Sequence, residues 1–246
     1  ARDSTVLPDV GRQAVALYEL AGVPITHLVH VTDVGAGHAF VTEDFGSGCE
    51  VTVSPFINDC DYDQAGAILE HIYGLLKPPA STPSGRILAF DQAEFIPEPE
   101  SRSMNRTGFA YVPGVCETEG GCRVHIVFHG CKQTTAHTGD LFYTRTGFNR
   151  WADTNRLIVL YPQAFAGTGN PNGCWDWWGY DRADYAVRTG PQMAAVKSML
   201  DRLAGVESPA AEFCQIHLGP NYGHWQAGRA EICGFWSLCA TGSGDL

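Results

Sequence analysis

The chain of 246 residues has 16 Lys and Arg against 27 Asp and Glu, which gives a formal net charge of −11. Nucleic acids and anionic membranes both attract clustered positive charge, so this balance argues against either as the main partner. Hydrophobic residues make up 44% of the chain and charged residues 17%, which excludes extended disorder. No apolar run is long enough to predict a transmembrane helix.

Helical and strand-like patterns alternate along most of the chain. In chain order they predict a helix over 10–21, a strand over 25–33, a helix over 63–76, strands over 87–95, 108–113 and 124–128, a helix over 140–155, a strand over 157–161 and a helix over 191–204. Such alternation is typical of an α/β domain, and we expect a mostly parallel sheet.

Two segments interrupt this pattern. Residues 77–85, with the sequence KPPASTPSG, hold three prolines among small polar residues and predict a linker. The last 40 residues are rich in Gly and Cys and less regular. We therefore expect one folded domain over 1–204 and a separate tail over 205–246.

The nine cysteines indicate the cellular compartment. Several lie close together in sequence, namely Cys49 with Cys60, Cys116 with Cys122, and Cys233 with Cys239. None has the CxxC spacing of a zinc ribbon or a thioredoxin motif. With 28 Gly and 14 Pro, the composition predicts a disulfide-bearing secreted or periplasmic protein. Because nine is odd, at least one cysteine lacks a partner within this chain.

The first candidate for chemistry is His38, which follows the predicted strand 25–33 in a glycine-rich turn. In open α/β sheets, active-site side chains come from loops at the carboxyl ends of strands. A histidine there can transfer protons near neutral pH, although a solvated loop histidine is the alternative. Asp3 could orient such a histidine, but the local sequence favours a helix cap.

The second candidate is the turn His129-Gly130-Cys131, directly after the apolar run 124–128. A strand that ends in His-Gly-x is the kind of loop that supplies a backbone N–H to an oxyanion. A packed turn histidine at position 129 is the competing interpretation, and both stay open.

The third candidate is a polar loop over 170–180 that is unusually rich in aromatic residues. It contains Trp175, Trp177, Trp178 and Tyr180 within six positions. These side chains could belong to the core. They could equally form an apolar ledge for an apolar or polymeric ligand.

A metal site and a nucleophile have weaker support. The acidic and imidazole groups near the first candidate are His27, His30, Asp33 and His38, but positions 27 and 30 of a strand face opposite sides, and no HExxH motif occurs. We expect neither a metal nor another cofactor. No G-x-S-x-G motif occurs either, and Ser47 and Ser243 do not follow apolar strands, so both are interpreted as turn serines.

Several segments together resemble the polyhydroxybutyrate depolymerases, secreted serine esterases with the α/β-hydrolase fold. The similarity is greatest to the circularly permuted type and spans about residues 1–204. It rests on ARDSTVLPDV, GAGHAF, VSPFINDCDYDQAGAILEHIYGLL, GFAYVPGVC, VHIVFHGCKQ, TGFNRWADTNRLIVLYPQA and NPNGCWDWWGY.

The resemblance implies roles for five residues. Asp3 and His38 fall on the catalytic aspartate and histidine of the family. Cys131 falls where the family uses a backbone N–H for the oxyanion hole. Trp175 and Tyr180 fall on aromatic positions that line the polymer-binding cleft, with Tyr180 in place of a tryptophan.

The resemblance also implies three disulfides, Cys49–Cys60, Cys116–Cys122 and Cys131–Cys174. The last would tie the oxyanion loop to the aromatic loop. Cys214, Cys233 and Cys239 receive no partner from the resemblance.

The order of the segments departs from an unpermuted α/β-hydrolase, in which the oxyanion loop comes first. Here the aspartate and histidine precede the linker 77–85, as expected if that linker joins the old chain ends. The nucleophile segment of the family has no counterpart in these residues. We therefore expect an incomplete catalytic domain, whose serine lies outside this chain.

The implied function is an extracellular esterase that hydrolyses polyhydroxybutyrate or related short-chain polyesters. A feruloyl or acetylxylan esterase is one alternative, since such enzymes share the HGC loop. A non-catalytic fragment that binds a polymer surface through the aromatic loop is another. The exact polyester and the oligomeric state do not follow from the sequence.

Overall fold

The computed structural model describes residues 2–205, 230–234 and 237–240. The chain divides into two compact units, Ala1–Val206 and Glu207–Leu246. That residues 1–204 form a catalytic domain and 205–246 a tail remains a prediction. Within the described ranges, no helix combines the length and the apolar character needed to cross a bilayer.

The first unit contains helices between and around two sheets. Within residues 2–205, the α-helices are α1 (Pro8–Leu20), α2 (Gln64–Tyr73), α3 (Gly114–Glu119), α4 (Thr135–Thr138), α5 (Leu141–Arg145), α6 (Phe148–Asn155) and α7 (Pro191–Ala204). Helix α2 begins at the N-cap Asp63, whose carboxylate accepts the N–H of Gly66. Helices α1 and α7 each begin with a proline, which needs no hydrogen-bond acceptor at that position.

The strands of the first unit form one small parallel sheet and one mixed sheet. The small sheet has the order β1-β3-β2, with β1 (Phe40–Thr42), β2 (Ser47–Gly48) and β3 (Ile57–Asp59). The larger sheet has the order β4-β5-β7-β6, with β4 (Arg86–Asp91), β5 (Thr107–Val112), β6 (Arg123–Ile126) and β7 (Leu157–Tyr161). In the second unit, β8 (Ala230–Gly234) pairs antiparallel with β9 (Ser237–Ala240).

The prediction of one mostly parallel sheet was wrong. In the larger sheet only β6 and β7 run parallel, whereas β4–β5 and β5–β7 pair antiparallel. The link 92–106 contains two 3-10 turns and no crossover α-helix, and the chain returns beside β4 in the antiparallel direction.

The core lies on both faces of β7, which explains why its sequence LIVLY is continuously apolar. On one face, β7 packs with α2, α5 and α6 around buried residues that include Leu69, Phe142 and Phe148. On the other face, α7 buries Val196 and Met199 against Leu160. The loops at the ends of the strands, which carry the candidate residues, are thereby fixed to one packed body.

The strand predicted over 25–33 is absent, and this prediction was wrong. Ile25–His27 form one turn of 3-10 helix, and residues 28–33 form no regular element. Val29 and Val31 are 68% and 45% exposed. Alternating side chains do not make a strand unless a neighbouring strand binds the backbone, and within the described residues none lies beside this segment.

The single helix predicted over 140–155 is two helices, α5 and α6. The break lies at Thr146-Gly147, where Gly147 has a φ of 91°. Glycine adopts this left-handed conformation without steric cost, so the chain turns there and starts a new helix. The change of direction lets Phe142 and Phe148 both enter the core beside β7.

The predicted linker 77–85 contains neither helix nor strand, and it is fastened along α6. Main-chain and side-chain hydrogen bonds join the two segments, namely Lys77 to Asn155, Pro78 to Thr154, Ala80 to Arg150, and Ser84 to Asp153. Asp153 also accepts hydrogen bonds from the N–H of Gly85 and the hydroxyl of Tyr111. The linker is therefore an ordered part of the first unit.

Candidate functional site

Asp3 and His38 lie in direct contact. Nδ1 of His38 is 2.8 Å from Oδ2 of Asp3. The other carboxylate oxygen, Oδ1, accepts the N–H groups of Thr5 and Val6, each at 2.8 Å. Asp3 therefore closes a turn ahead of α1 with one oxygen and holds the imidazole with the other. It is not the cap of α1, because that position belongs to Leu7.

The electrostatics of this pair set the tautomer of His38. Burial alone raises the pKa of Asp3, but the hydrogen bonds from His38, Val6 and Thr5 outweigh it, and the pKa is lowered. An ionised carboxylate can only accept, so Nδ1 of His38 carries the proton and donates it to Asp3. Nε2 is then the basic nitrogen. Among the described residues, no side chain forms a hydrogen bond with Nε2.

The main chain around His38 is held by the loop that follows β2. The N–H of His38 donates to Oγ1 of Thr52, and the N–H of Gly37 donates to the carbonyl of Cys49, each at 2.9 Å. A Cβ at position 37 would lie 2.4 Å from the carbonyl oxygen of Val51. Only glycine fits this close approach, which explains the Gly-His sequence.

The loop that holds His38 is itself anchored to β3. Buried Asn58 in β3 donates from Nδ2 to the carbonyls of Cys49 and Val51, at 2.9 and 2.7 Å. A disulfide joins Cys49 to Cys60, one residue beyond the strand. The position of His38 is thus fixed by two layers of contacts.

His129 is a structural residue of the second candidate turn. It is 2% exposed, its Nδ1 donates to the carbonyl of Gly130 at 2.8 Å, and its Nε2 accepts the N–H of Ala164 at 3.0 Å. Burial lowers the pKa of His129 to about 4. Both ring nitrogens have hydrogen-bond partners and the ring is neutral, so the side chain of His129 is packed in the turn. The oxyanion role predicted for this turn concerns the backbone of Cys131 instead.

Cys131 presents a free backbone N–H at this turn. Its N–H has no acceptor among the described residues, whereas the N–H of Gly130 donates to Oε1 of Gln133 and that of Lys132 to the carbonyl of Asn172. A disulfide ties Cys131 to Cys174 in the aromatic loop. An unpaired N–H on a backbone fixed at both sides could donate to an anionic oxygen without rearrangement. We call residues 129–131 the oxyanion corner.

The three disulfides of residues 2–205 are those that the resemblance implies: Cys49–Cys60, Cys116–Cys122 and Cys131–Cys174. Of the remaining cysteines, Cys214 lies outside the described residues. The side chains of Cys233 and Cys239 also lie outside them.

Trp175 packs beside the oxyanion corner. Its Nε1 donates to the carbonyl of His129 at 3.1 Å, and its ring lies edge-on to Phe128 with the centroids 5.2 Å apart. Trp175 and Phe128 line a mainly apolar cavity of about 300 Å³ together with Met193 and Val196 of α7. An apolar group of a ligand could therefore lie next to the corner.

Tyr180 is not among the residues that line this cavity. Its hydroxyl donates to the carbonyl of Cys174 at 2.7 Å and accepts from Nε2 of Gln192 and Nδ2 of Asn170. Burial raises the pKa of Tyr180. The residue thus holds the aromatic loop to α7, and its ring packs against Trp178 at a centroid distance of 4.7 Å.

The most exposed aromatic side chains of the loop are Trp177 and Trp178, 67% and 47% exposed. Their rings form an edge-to-face pair with centroids 5.0 Å apart. The turn beneath them is rigid because the carboxylate of Asp176 accepts four backbone N–H groups, those of Gly179, Tyr180, Asp181 and Arg182. The sequence pattern named this loop but did not single out these two side chains.

Two further groups from the sequence analysis are the candidate metal ligands and the turn serines. The carbonyl of His27 accepts from Nε2 of His71, and in residues 2–205 no group of three or more His, Cys, Asp or Glu is placed to hold a metal ion. Ser47 lies in β2, in register with Asn58 of β3. Ser243 lies outside the described residues.

Comparison with known proteins identifies relatives, although no protein-family model matches the chain. The chain is 44% identical over 206 residues to a poly(3-hydroxybutyrate) depolymerase of Delftia acidovorans, with 82% of the chain and 40% of that protein covered. It is 37% identical over 218 residues to a polyhydroxybutyrate depolymerase of Talaromyces funiculosus, with 82% of the chain and 63% of that protein covered. It thus spans less than two thirds of the length of either relative.

Two solved structures are similar in three dimensions. The crystal structure of a PHB depolymerase from Penicillium funiculosum superposes with a TM-score of 0.75 at 37% identity, covering 82% of this chain and 68% of that one. A PHB depolymerase variant complexed with an R3HB trimer superposes with a TM-score of 0.65 at 38% identity, covering 70% of this chain and 58% of that one.

Proposed function

Because this chain belongs to the polyhydroxybutyrate depolymerase family and has its α/β-hydrolase fold, we propose that the complete protein hydrolyses polyhydroxybutyrate or related short-chain polyesters. The observation that carries the proposal is the Asp3–His38 pair, whose outer imidazole nitrogen has no hydrogen-bond partner among the described side chains. Such a nitrogen can serve as the base that activates a hydroxyl nucleophile.

In the proposed mechanism, a serine outside this chain attacks the ester carbonyl. Nε2 of His38 takes the serine proton, and Asp3 holds the imidazole in the required tautomer and stabilises its charge. His38 then passes this proton to the leaving alcohol. A water molecule hydrolyses the resulting acyl-serine by the same route, which restores the serine and releases a carboxylic acid.

Cys131 is proposed to stabilise the negative charge that develops on the carbonyl oxygen. Its free N–H, fixed between the disulfide to Cys174 and the hydrogen bond made by Lys132, needs no rearrangement to donate to that oxygen. A donor positioned in advance is most effective because it costs no reorganisation during the reaction.

The polyester is proposed to lie along the aromatic loop. Trp175 offers an apolar surface in the cavity beside the corner. Tyr180 supports the aromatic loop through its hydrogen bond to Cys174 and its ring contact with Trp178. A methyl-bearing aliphatic ester suits a cavity that is mainly apolar. The R3HB trimer bound to a relative supports the choice of a 3-hydroxybutyrate polymer.

The proposal includes the location and the arrangement of the complete protein. Three disulfides within residues 2–205 support an oxidising compartment, so the protein is proposed to be secreted or periplasmic. The chain order of aspartate, histidine and oxyanion corner supports a circularly permuted domain in which residues 77–85 join the original ends.

A second candidate function is polymer binding without catalysis. The exposed pair Trp177 and Trp178, presented on a rigid turn, favours it, because exposed aromatic rings adsorb to apolar surfaces. Adsorption to polyester with no hydrolysis by the complete protein would support this candidate over the first. Release of ferulate or acetate from plant cell wall, without clearing of polyester, would instead favour a carbohydrate esterase.

The test compares the complete protein with its His38→Ala variant on a polyester film and on a soluble short-chain ester. We expect the wild type to clear the film and hydrolyse the ester, and the variant to do neither. His27→Ala, which changes another exposed histidine, is the control and should keep both activities. Full turnover of the soluble ester by His38→Ala would refute the proposed function.

A further inference from the structure

One buried side chain joins the two halves of the candidate site. Gln133, which is 6% exposed, accepts the N–H of Gly130 with Oε1 and donates from Nε2 to the carbonyl of Phe56, both at 2.7 Å. The same carbonyl accepts the N–H of Phe40 at 2.8 Å. Phe40 begins β1, two residues after His38. A chain of hydrogen bonds therefore leads from the oxyanion corner through the side-chain amide of Gln133 to the strand that follows His38.

Both ends of this connection are sterically constrained. A Cβ at position 130 would lie 2.9 Å from Oε1 of Gln133, so a larger residue there would displace this oxygen from the N–H of residue 130. At the other end, Phe56 has a φ of 58°, a left-handed conformation that is rare for a bulky residue. Such a conformation persists where the surroundings determine it, and here its carbonyl accepts two hydrogen bonds.

The main chain of Gln133 is also fixed. Its N–H donates to the carbonyl of Gly130 at 3.2 Å, and its carbonyl accepts the hydroxyl of Thr138 in α4, also at 3.2 Å. The side-chain amide cannot move towards one hydrogen-bond partner without breaking its hydrogen bond to the other, because the backbone of Gln133 is fixed in the turn before α4. A rigid side chain with two short hydrogen bonds at opposite ends fixes the separation of the groups that it joins.

We propose that Gln133 is a positioning residue that sets the distance between the N–H of Cys131 and the imidazole of His38. The inference rests on the proposed function, because both groups must reach the same ester for the reaction to proceed. Gln133 does not contact the reacting atoms. It acts through Gly130 on one side and through Phe56 and Phe40 on the other.

The test uses the complete protein, a soluble ester and a fluorophosphonate that counts competent serines after labelling to completion. Gln133→Met keeps the approximate size and removes both hydrogen bonds. We expect kcat per labelled serine to fall on the order of 100-fold with KM little changed, since small misplacements of reacting groups have effects of this size. Binding of a boronic acid, which forms a tetrahedral adduct with the serine, should weaken in parallel with kcat.

Two further variants separate positioning from stability. Gln133→Glu keeps the acceptor for Gly130, but its carboxylate cannot donate to Phe56, so kcat per labelled serine should again fall. Gln92→Met is the matched control: Gln92 is a fully buried amide that bonds to Asn105 and Gln163 instead. It should reduce the number of labelled serines and leave kcat per serine unchanged.

The outcomes distinguish this inference from the proposed function. A wild type that neither labels nor hydrolyses the ester refutes the proposed function, and the inference falls with it. An active wild type whose Gln133→Met or Gln133→Glu variant keeps the full kcat per labelled serine refutes only the inference. Because the rate is divided by the number of labelled serines, a variant that folds in small yield still decides the question.

Discussion

Oδ2 of Asp3 lies 2.8 Å from Nδ1 of His38, although the two residues are 35 positions apart in the chain. The contact requires that the turn before α1 and the glycine-rich turn before β1 meet, and hydrogen bonds fix each turn separately. Oδ1 of Asp3 binds two backbone N–H groups, and the main chain of His38 binds Thr52. The carboxylate is thus oriented before it meets the imidazole, as a group that selects a tautomer must be.

Asp3→Asn tests this role directly. An amide at position 3 can donate to Nδ1 and stabilise the wrong tautomer, so we expect kcat on a soluble ester to fall by about 10⁴-fold with little change in KM. Steady-state kinetics of the complete protein measure this. Asp9→Asn, which changes an exposed acid of α1 that pairs with Arg12, should leave kcat unchanged. Equal effects of the two substitutions would contradict the assigned role.

The disulfide Cys131–Cys174 should matter for both stability and rate. Its two cysteines are 43 positions apart in the chain, whereas Cys116 and Cys122 are 6 positions apart. Closing the longer loop removes more conformational entropy from the unfolded chain. Replacing both cysteines of the longer loop with serine should cost about 2–4 kcal/mol of unfolding free energy and lower kcat by displacing the N–H of residue 131.

The double replacement of Cys116 and Cys122 is the control for that experiment. It should cost less stability and leave kcat unchanged, because α3 does not contribute to the oxyanion corner. Thermal unfolding and ester hydrolysis, measured on both double variants, check the prediction. Loss of kcat in the control alone would contradict it.

Asp153 should make the stability of the linker region depend on pH. Burial raises the pKa of Asp153, but the hydrogen bonds from Tyr111, Ser84 and Gly85 outweigh it, and the pKa is lowered. A carboxyl group whose pKa is lowered by folding stabilises the folded state at pH values above its ordinary pKa of 3.8. This stabilisation is lost as the pH falls through the pKa of the folded state. Asp153→Asn should therefore destabilise the protein at pH 7, and this cost should shrink as the pH falls below 3.8.

Denaturant unfolding of wild type and Asp153→Asn at several pH values measures this difference. Asp184→Asn removes an exposed carboxylate that pairs with Arg182, and it should change stability little at any pH. A cost of Asp153→Asn that grows towards acid would have the wrong sign and would refute the assignment.

Trp177 and Trp178 should govern adsorption to solid polymer rather than the chemical step. Replacing both with alanine should reduce binding to a polyester film and leave kcat on a soluble ester unchanged, because neither ring lines the cavity beside the oxyanion corner. Depletion of protein from solution by the film measures adsorption. Leu75→Ala, which removes another exposed apolar side chain, should have no effect on either measurement.

The sequence predicted the elements whose pattern is local. The periodicity of 191–204 and the apolar run 157–161 correspond to α7 and β7 with the same bounds, and the helix predicted over 63–76 begins at the acid-capped turn of α2. It failed at 25–33, where an alternating pattern lacks a neighbouring strand among the described residues. It also failed at Gly147, where one glycine splits a continuous helical pattern.

For the candidate site, the sequence could name groups but not their distances. Similarity to the family placed roles on Asp3, His38 and Cys131, whereas local pattern alone favoured a cap for Asp3. Nothing local pointed to Gln133 as a connection to Phe56, because the two residues are 77 positions apart. Their contact exists only once α4 and the small parallel sheet have packed.

The most direct test of the central claim is fluorophosphonate labelling of the complete protein, followed by mapping of the labelled peptide. The account predicts one labelled serine that lies outside these 246 residues, and loss of labelling in His38→Ala, because only a serine activated by that imidazole reacts rapidly. A labelled serine within this chain, or labelling that is unaffected by His38→Ala, would contradict it.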